Sequence, residues 1–161
     1  MTNDNINMIA DLVANEVQKR TGIRSITLDI ARKLIAKVED KAREMGVNAV
    51  VAVSDAHARP VAVECMDNSY IASYDVAFNK AYTVVALKMS TIALKPLSQP
   101  GASLYGIQFT NEGKIVIFGG GDPLIYNSQI IGGLGVSGGT EEEDTLLSAY
   151  GAECLKDIIE Q

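Results

Sequence analysis

Tryptophan is absent from this chain, histidine occurs once, and cysteine occurs twice, at Cys65 and Cys154. So few imidazoles and thiols, without metal-ligand spacing, leave little from which to build a zinc site or a Ser-His-Asp triad. No HExxH, Walker-type P-loop or GxSxG stretch occurs either. No apolar run reaches membrane-spanning length, and Met1-Thr2-Asn3-Asp4 lacks the basic start of a signal peptide. The expected location is therefore cytoplasmic, with reduced thiols and no membrane partner. Lysine and arginine number 14 against 20 acidic residues, a net charge of −6, which argues against nucleic acid as a partner. What remains is apolar: 47% hydrophobic residues over 161 positions suits one domain with a real core.

Glycine is concentrated in one place. The stretch Phe118–Asp144 holds eight of the fourteen glycines. Gly119-Gly120-Gly121 leads into two extended runs, Leu124–Tyr126 and Gln129–Ile131, separated by Asn127-Ser128, which predicts a hairpin turn. Gly138-Gly139 leads out to Thr140, and Glu143 follows three residues later. Thr-x-x-Glu is a capping box, so a helix is expected from about Glu141 to Ile159. Its acidic start, Glu141 to Asp144, is accounted for by the positive end of the helix dipole.

Gly-Gly-x-Pro, a hairpin, Ile-Gly-Gly-Leu-Gly-Val-Ser-Gly-Gly and an acidic helix start together resemble the GlcG/HbpS-type heme-binding family. That family includes the C-terminal domain of the PduO cobalamin adenosyltransferase. The likeness runs from about Thr27 to Leu155. It also takes in LDIARKLIAKVEDKAREMGV, Val-x-Val-x-Asp before the first turn, and Asp75-x-Ala77-x-x-Lys80-Ala81. The resemblance implies an α+β, profilin-like, three-layer α/β/α fold and a homo-oligomer, from a dimer to an octamer. It also implies heme as cofactor. In the first turn the family commonly has two glycines where His57 and Ala58 stand, and a histidine where Arg59 stands.

The rest of the chain reads as follows. Ile6, Ile9, Ala10, Val13 and Val17 have helical spacing within Asp4–Arg20. Residues 1–22 are expected to form an amphipathic helix and residues 23–161 the domain. That helix either packs on its own assembly or serves as a targeting peptide for a bacterial microcompartment shell through residues 4–20. The short linker Thr21–Ile26 favours the first. A second helix starts at Thr27 and closes at Gly46. Asn48–Val53 and Val61–Met66 are expected strands, joined by a loop over Ser54–Pro60. A long apolar helix follows from about Tyr70 to Met89, capped by Asn68 or Ser69. It is apolar enough to be buried on more than one side, against the sheet and a second subunit. Thr91–Thr110 reads as loop and Lys114–Phe118 as a strand. The order αα-ββ-α-βββ-α gives a mostly antiparallel sheet of five strands.

A heme needs an apolar slot, cations or N–H donors for its propionates, and an axial ligand. The candidates are Asp55, His57 and Arg59 in the first turn, Lys80 on the central helix, and the backbone N–H groups of Gly119, Gly120 and Gly121. His57 is the candidate iron ligand, with Met66, Cys65 and Tyr70 as alternatives. Lys80 is either paired inside or snorkelling to the surface. No convergent set of acid, base and nucleophile stands out. The expectation is a non-enzymatic heme-binding accessory in cobalamin/diol or glycolate metabolism. A heme-degrading enzyme and a ligand-free assembly module stand as alternatives.

Overall fold

Helix α1, Leu28–Met45, begins where the Thr27 side chain accepts a hydrogen bond from the Ile30 N–H, and ends at Gly46 in the left-handed region, φ 72°. Ile30, Leu34, Ile35, Val38 and Ala42 form its buried stripe. The computed structural model describes residues 24–161 together with Ile6, Met8, Ile9, Val13 and Gly22. The expected N-terminal helix over Asp4–Arg20 lies outside the described residues except for Ile6, Met8, Ile9 and Val13, which are helical and exposed.

Four strands follow: β1 Val50–Asp55, β2 Pro60–Cys65, β3 Gly121–Tyr126 and β4 Gln129–Ser137. They lie in the order β2-β1-β4-β3, and every neighbouring pair is antiparallel. Asn127 and Ser128 both have positive φ, which gives the β3–β4 hairpin the turn that matches strand twist. Strand β1 is buried throughout, and its alternation sorts the core. Val51 and Val53 join Leu134 and Val136 under α1 and the last helix, α4, Glu141–Glu160. Val50 and Ala52 meet Ala77 and Ala81 of the central helix α2, Ser73–Leu87. Helices therefore cover both faces of the sheet, in three layers.

Helix α2 lies on β4 closer than side chains would allow. A Cβ on Gly135 would fall 2.0 Å from the Ala77 carbonyl oxygen, and one on Gly133 would fall 2.3 Å from that of Ala81. The glycine-rich run after Ile131 is thus strand, and its glycines provide close packing. Ser54 and Ser137 complete the contact: the Ser54 hydroxyl donates to the Ala81 carbonyl, and the Ser137 hydroxyl donates to the Ser73 hydroxyl.

The sheet has four strands, not the expected five. Lys114–Phe118 is not a strand, because its backbone polar groups bond to Thr83 on α2 instead of a sheet neighbour. The Thr83 hydroxyl accepts from the Val116 N–H at 3.0 Å and lies 3.2 Å from the Lys114 carbonyl, while the Asn79 carbonyl is its nearer acceptor at 2.7 Å. The expected loop contains helix α3, Thr91–Leu97, capped by Ser90, with Pro96 in its last turn. Helix α2 starts at Ser73, later than expected, because Asn68 takes a positive φ and the chain turns before entering the helix.

Candidate functional site

No aromatic side chain is buried among the described residues, although the chain has six tyrosines and three phenylalanines. Tyr74, Phe78 and Tyr82 are spaced so that they share one stripe of α2, turned away from β4, and Ile71 precedes them in the turn that enters the helix. Ile71 is 98% exposed, and Tyr74 stacks on Phe78 with ring centroids 6.3 Å apart. Asn111 donates to the Tyr82 hydroxyl, and the Lys114 ammonium lies 5.9 Å from its ring. These contacts bring the loop that carries Tyr105 and Phe109, both largely exposed, to the far end of the stripe. Between α2 and edge strand β2 runs a shallow apolar groove lined by Ala52, Val53, Ser54, Ala58, Pro60, Val63, Phe78 and Ala81, about 10 Å³ in volume.

The β1–β2 turn closes one end of this groove. Asp55, 7% exposed, holds it together. One carboxylate oxygen accepts from the backbone N–H groups of His57 (2.8 Å) and Arg59 (3.0 Å); the other accepts from the Arg59 guanidinium at 2.8 and 2.7 Å. Burial pushes the Asp55 carboxyl up. The hydrogen bonds from Arg59 and His57 and the Arg59 charge outweigh that and hold it below its ordinary value. Ala58 takes a positive φ, and Ala58 and Pro60 line the groove. His57 and Arg59, both exposed, alternate with them along the turn.

Lys80 and the glycine triplet lie on the other side of α2. Lys80 is fully buried; its ammonium donates to the Val136 carbonyl at 2.7 Å and to Asp144 at 2.9 Å, and lies 5.1 Å from the Phe118 ring. The second oxygen of Asp144 accepts from the Gly139 N–H. Burial presses Lys80 below and Asp144 above their ordinary values, and their mutual attraction opposes both shifts. Gly120, φ 106°, passes so close that a Cβ there would lie 2.5 Å from the Lys80 nitrogen. The N–H of Gly119 donates to Glu141, which also pairs with Lys95, and the N–H of Gly121 donates to Thr91. The structure does not bring the seven predicted residues together. Asp55, His57 and Arg59 form one group at the groove. Lys80, Gly119, Gly120 and Gly121 form an internal joint between α2, β3 and α4, with both outer N–H groups of the triplet already bonded.

The alternative axial ligands are elsewhere. The Met66 sulfur accepts the Ala49 N–H at 3.4 Å. Cys65 and Tyr70 each line an open polar cleft, of about 430 and 440 Å³, that shares Asn48 and Asn68. These clefts are larger than the groove, and carboxylates outnumber cations in both, Glu39 and Asp67 against Arg43 in one and Glu143 alone in the other, which disfavours an anionic ligand. Sequence reasoning missed the α2 stripe and Val63. The signal was present as apolar spacing of three and four at positions 71, 74, 78 and 82, beyond the face that packs on β4.

Among the described residues no helix is long and apolar enough to cross a membrane. The profile of the HbpS-like family, described as haem degrading protein HbpS-like, matches residues 26–153. A curated relative, the uncharacterized 15.0 kDa protein in the dhaT-dhaS intergenic region of Citrobacter freundii, is 43% identical over 88% of this chain and all of that one. The corrinoid adenosyltransferase PduO of Salmonella typhimurium is 36% identical over 78% of this chain, which spans 38% of that protein. Among solved structures, a PduOC:heme complex superposes with a TM-score of 0.77 at 34% identity, covering 80% of this chain and 94% of that one. With the profile spanning most of the domain and its strands, glycines and capping box in place, this chain belongs to the HbpS-like family.

Proposed function

We propose that the protein binds heme in the groove between α2 and β2. The observation that carries the reading is the apolar groove lined by Phe78 of the stacked aromatic pair and by Ala58 and Pro60, the chain neighbours of His57 and Arg59. The residues fit the group. Phe78, Tyr74 and Val63 offer an apolar, aromatic wall for the porphyrin face. His57, the chain's one imidazole, is the axial candidate. Arg59 keeps a charged edge for a propionate while Asp55 fixes its orientation. The heme would supply redox and ligand-binding chemistry. The protein's own residues bind and orient it, and Asp55, committed to four hydrogen bonds, is not free to relay protons.

On this reading the protein is a non-enzymatic accessory, in the cobalamin/diol branch suggested by its PduO relative or in glycolate metabolism. It acts as a homo-oligomer, and residues 4–20 dock within that assembly and not on a microcompartment shell. Titration of the full chain with hemin tests the binding. A saturable Soret change is expected, with a shifted band in His57→Ala. The absence of a saturable site in the unmutated protein sinks the reading; an unchanged His57→Ala spectrum removes His57 as ligand.

A further inference from the structure

We infer that Met66 is a redox modification site: a small peroxide converts its thioether to the sulfoxide, and that change opens the last rung of the β1–β2 ladder. The inference stands independently of the heme-binding reading.

The sulfur does work in the sheet that a backbone carbonyl normally does. Val50 pairs with Cys65 at the end of the ladder, so the next rung falls on Ala49 and Met66. The Met66 N–H donates to the Ala49 carbonyl at 3.0 Å. An antiparallel pair of this kind exchanges two such bonds, and the return bond would run from the Ala49 N–H to the Met66 carbonyl. That carbonyl is committed to the bend before α2, where it accepts the Ser69 N–H at 3.1 Å. The Met66 sulfur replaces it and accepts the Ala49 N–H at 3.4 Å. A thioether is a weak acceptor, but Ala49 is fully buried, and among the described residues its N–H has no other partner. The backbone there is closely packed as well, since a Cβ on Gly138 would fall 2.7 Å from the Ala49 Cα.

The same side chain is within reach of a small oxidant. Met66 is half-buried: it packs against the main core, yet it lines the open cleft of about 430 Å³ together with Arg43, Asn48 and Asn68. In the reaction with hydrogen peroxide a sulfur lone pair attacks one peroxide oxygen. An S–O bond forms and the O–O bond breaks. The sulfur gives up two electrons, and the proton of the transferred oxygen passes to the departing hydroxide, which leaves as water. The sulfoxide is polar and suits the cleft, where Arg43, Asn48 and Asn68 offer N–H donors, better than the core. A side chain drawn toward them takes the acceptor away from the Ala49 N–H. The end of the sheet then loosens together with the bend that leads into α2.

Hydrogen peroxide applied to the full chain tests this, with peptide mass mapping, amide exchange and melting as readouts. One oxygen should add at Met66, the melting temperature should fall, and the Ala49 amide should exchange about tenfold faster. Methionine sulfoxide reductases should reverse all three changes. Met66→Leu keeps an apolar side chain of similar size without the acceptor. Its Ala49 amide should exchange faster than that of the wild type from the outset and be indifferent to peroxide. The inference is overturned if Met66 stays unoxidised at a dose that fully oxidises Met8, which is 59% exposed. It is overturned equally by an oxidised Met66 with unchanged exchange at Ala49, or by a Met66→Leu chain whose Ala49 amide still speeds up with peroxide. The first two results are read on the wild type alone, so they decide the matter even where the variant does not fold.

Discussion

Replacing Asp144 by alanine strands the Lys80 ammonium inside the protein. Lys80 is fully buried and Asp144 is 4% exposed, and the carboxylate accepts one of the two hydrogen bonds the ammonium makes to protein groups. Removing one partner of such a pair costs about 3–5 kcal/mol, because the remaining charge keeps its desolvation cost without the attraction. The Val136 carbonyl stays in place and does not neutralise it. For a domain of this size each kcal/mol shifts the melting temperature by about 2–4 °C, so Asp144→Ala should melt roughly 10 °C lower. Lys80→Met should cost less, because Asp144 retains the Gly139 N–H and can take up a proton. The double variant Lys80→Met/Asp144→Ala should lose less than the two singles together, because no buried charge is then left without its partner. Thermal unfolding of the four proteins at pH 7 measures the cycle. A single variant within about 2 °C of wild type, or a double variant whose loss is the sum of the singles, refutes the account of this joint.

Acid sensitivity should trace to Asp55. Its carboxyl titrates below its ordinary value in the folded protein, so its contribution is present above the unfolded value of about 3.9 and is lost as pH falls through the folded one. Melting scans from pH 6 to pH 3 should show a smaller decline in Asp55→Asn than in wild type, and parallel curves would contradict this. Gly135→Ala should destabilise by about 1–3 kcal/mol or more, since its methyl meets the Ala77 carbonyl oxygen and backbone has to move. An unchanged denaturant midpoint would show that α2 is not held against β4 as described.

Local signals were legible in the sequence. Thr140 and Glu143 form the capping box in full, each side chain bonded to the other's backbone N–H. Asn127-Ser128 makes the turn, and Thr27 and Gly46 bound α1. What failed was what depends on distant partners. Ile115-Val116-Ile117 has strand composition, but Thr83, more than thirty residues earlier, takes its hydrogen bonds. Pro96 reads as a break, yet it falls in the last turn of α3, after Ser90 has already started the helix. Asp144 looked accounted for by the helix dipole. Its partner Lys80 is 64 positions away, and no periodicity connects them. The candidate site divided for the same reason: the first turn reached the groove, while the glycine triplet was drawn inside by Thr91, Glu141 and Lys80.

The position of the iron is the most direct test of where this protein holds its ligand. Crystals of the full chain grown with hemin, with data collected at the iron edge, locate it without reference to any spectrum. The account predicts one anomalous peak at the mouth of the α2–β2 groove, within ligand distance of the His57 imidazole, with the porphyrin face against Phe78 and Tyr74. A peak in the polar clefts around Asn48 and Asn68, or beside Lys80 and Gly120, would contradict it.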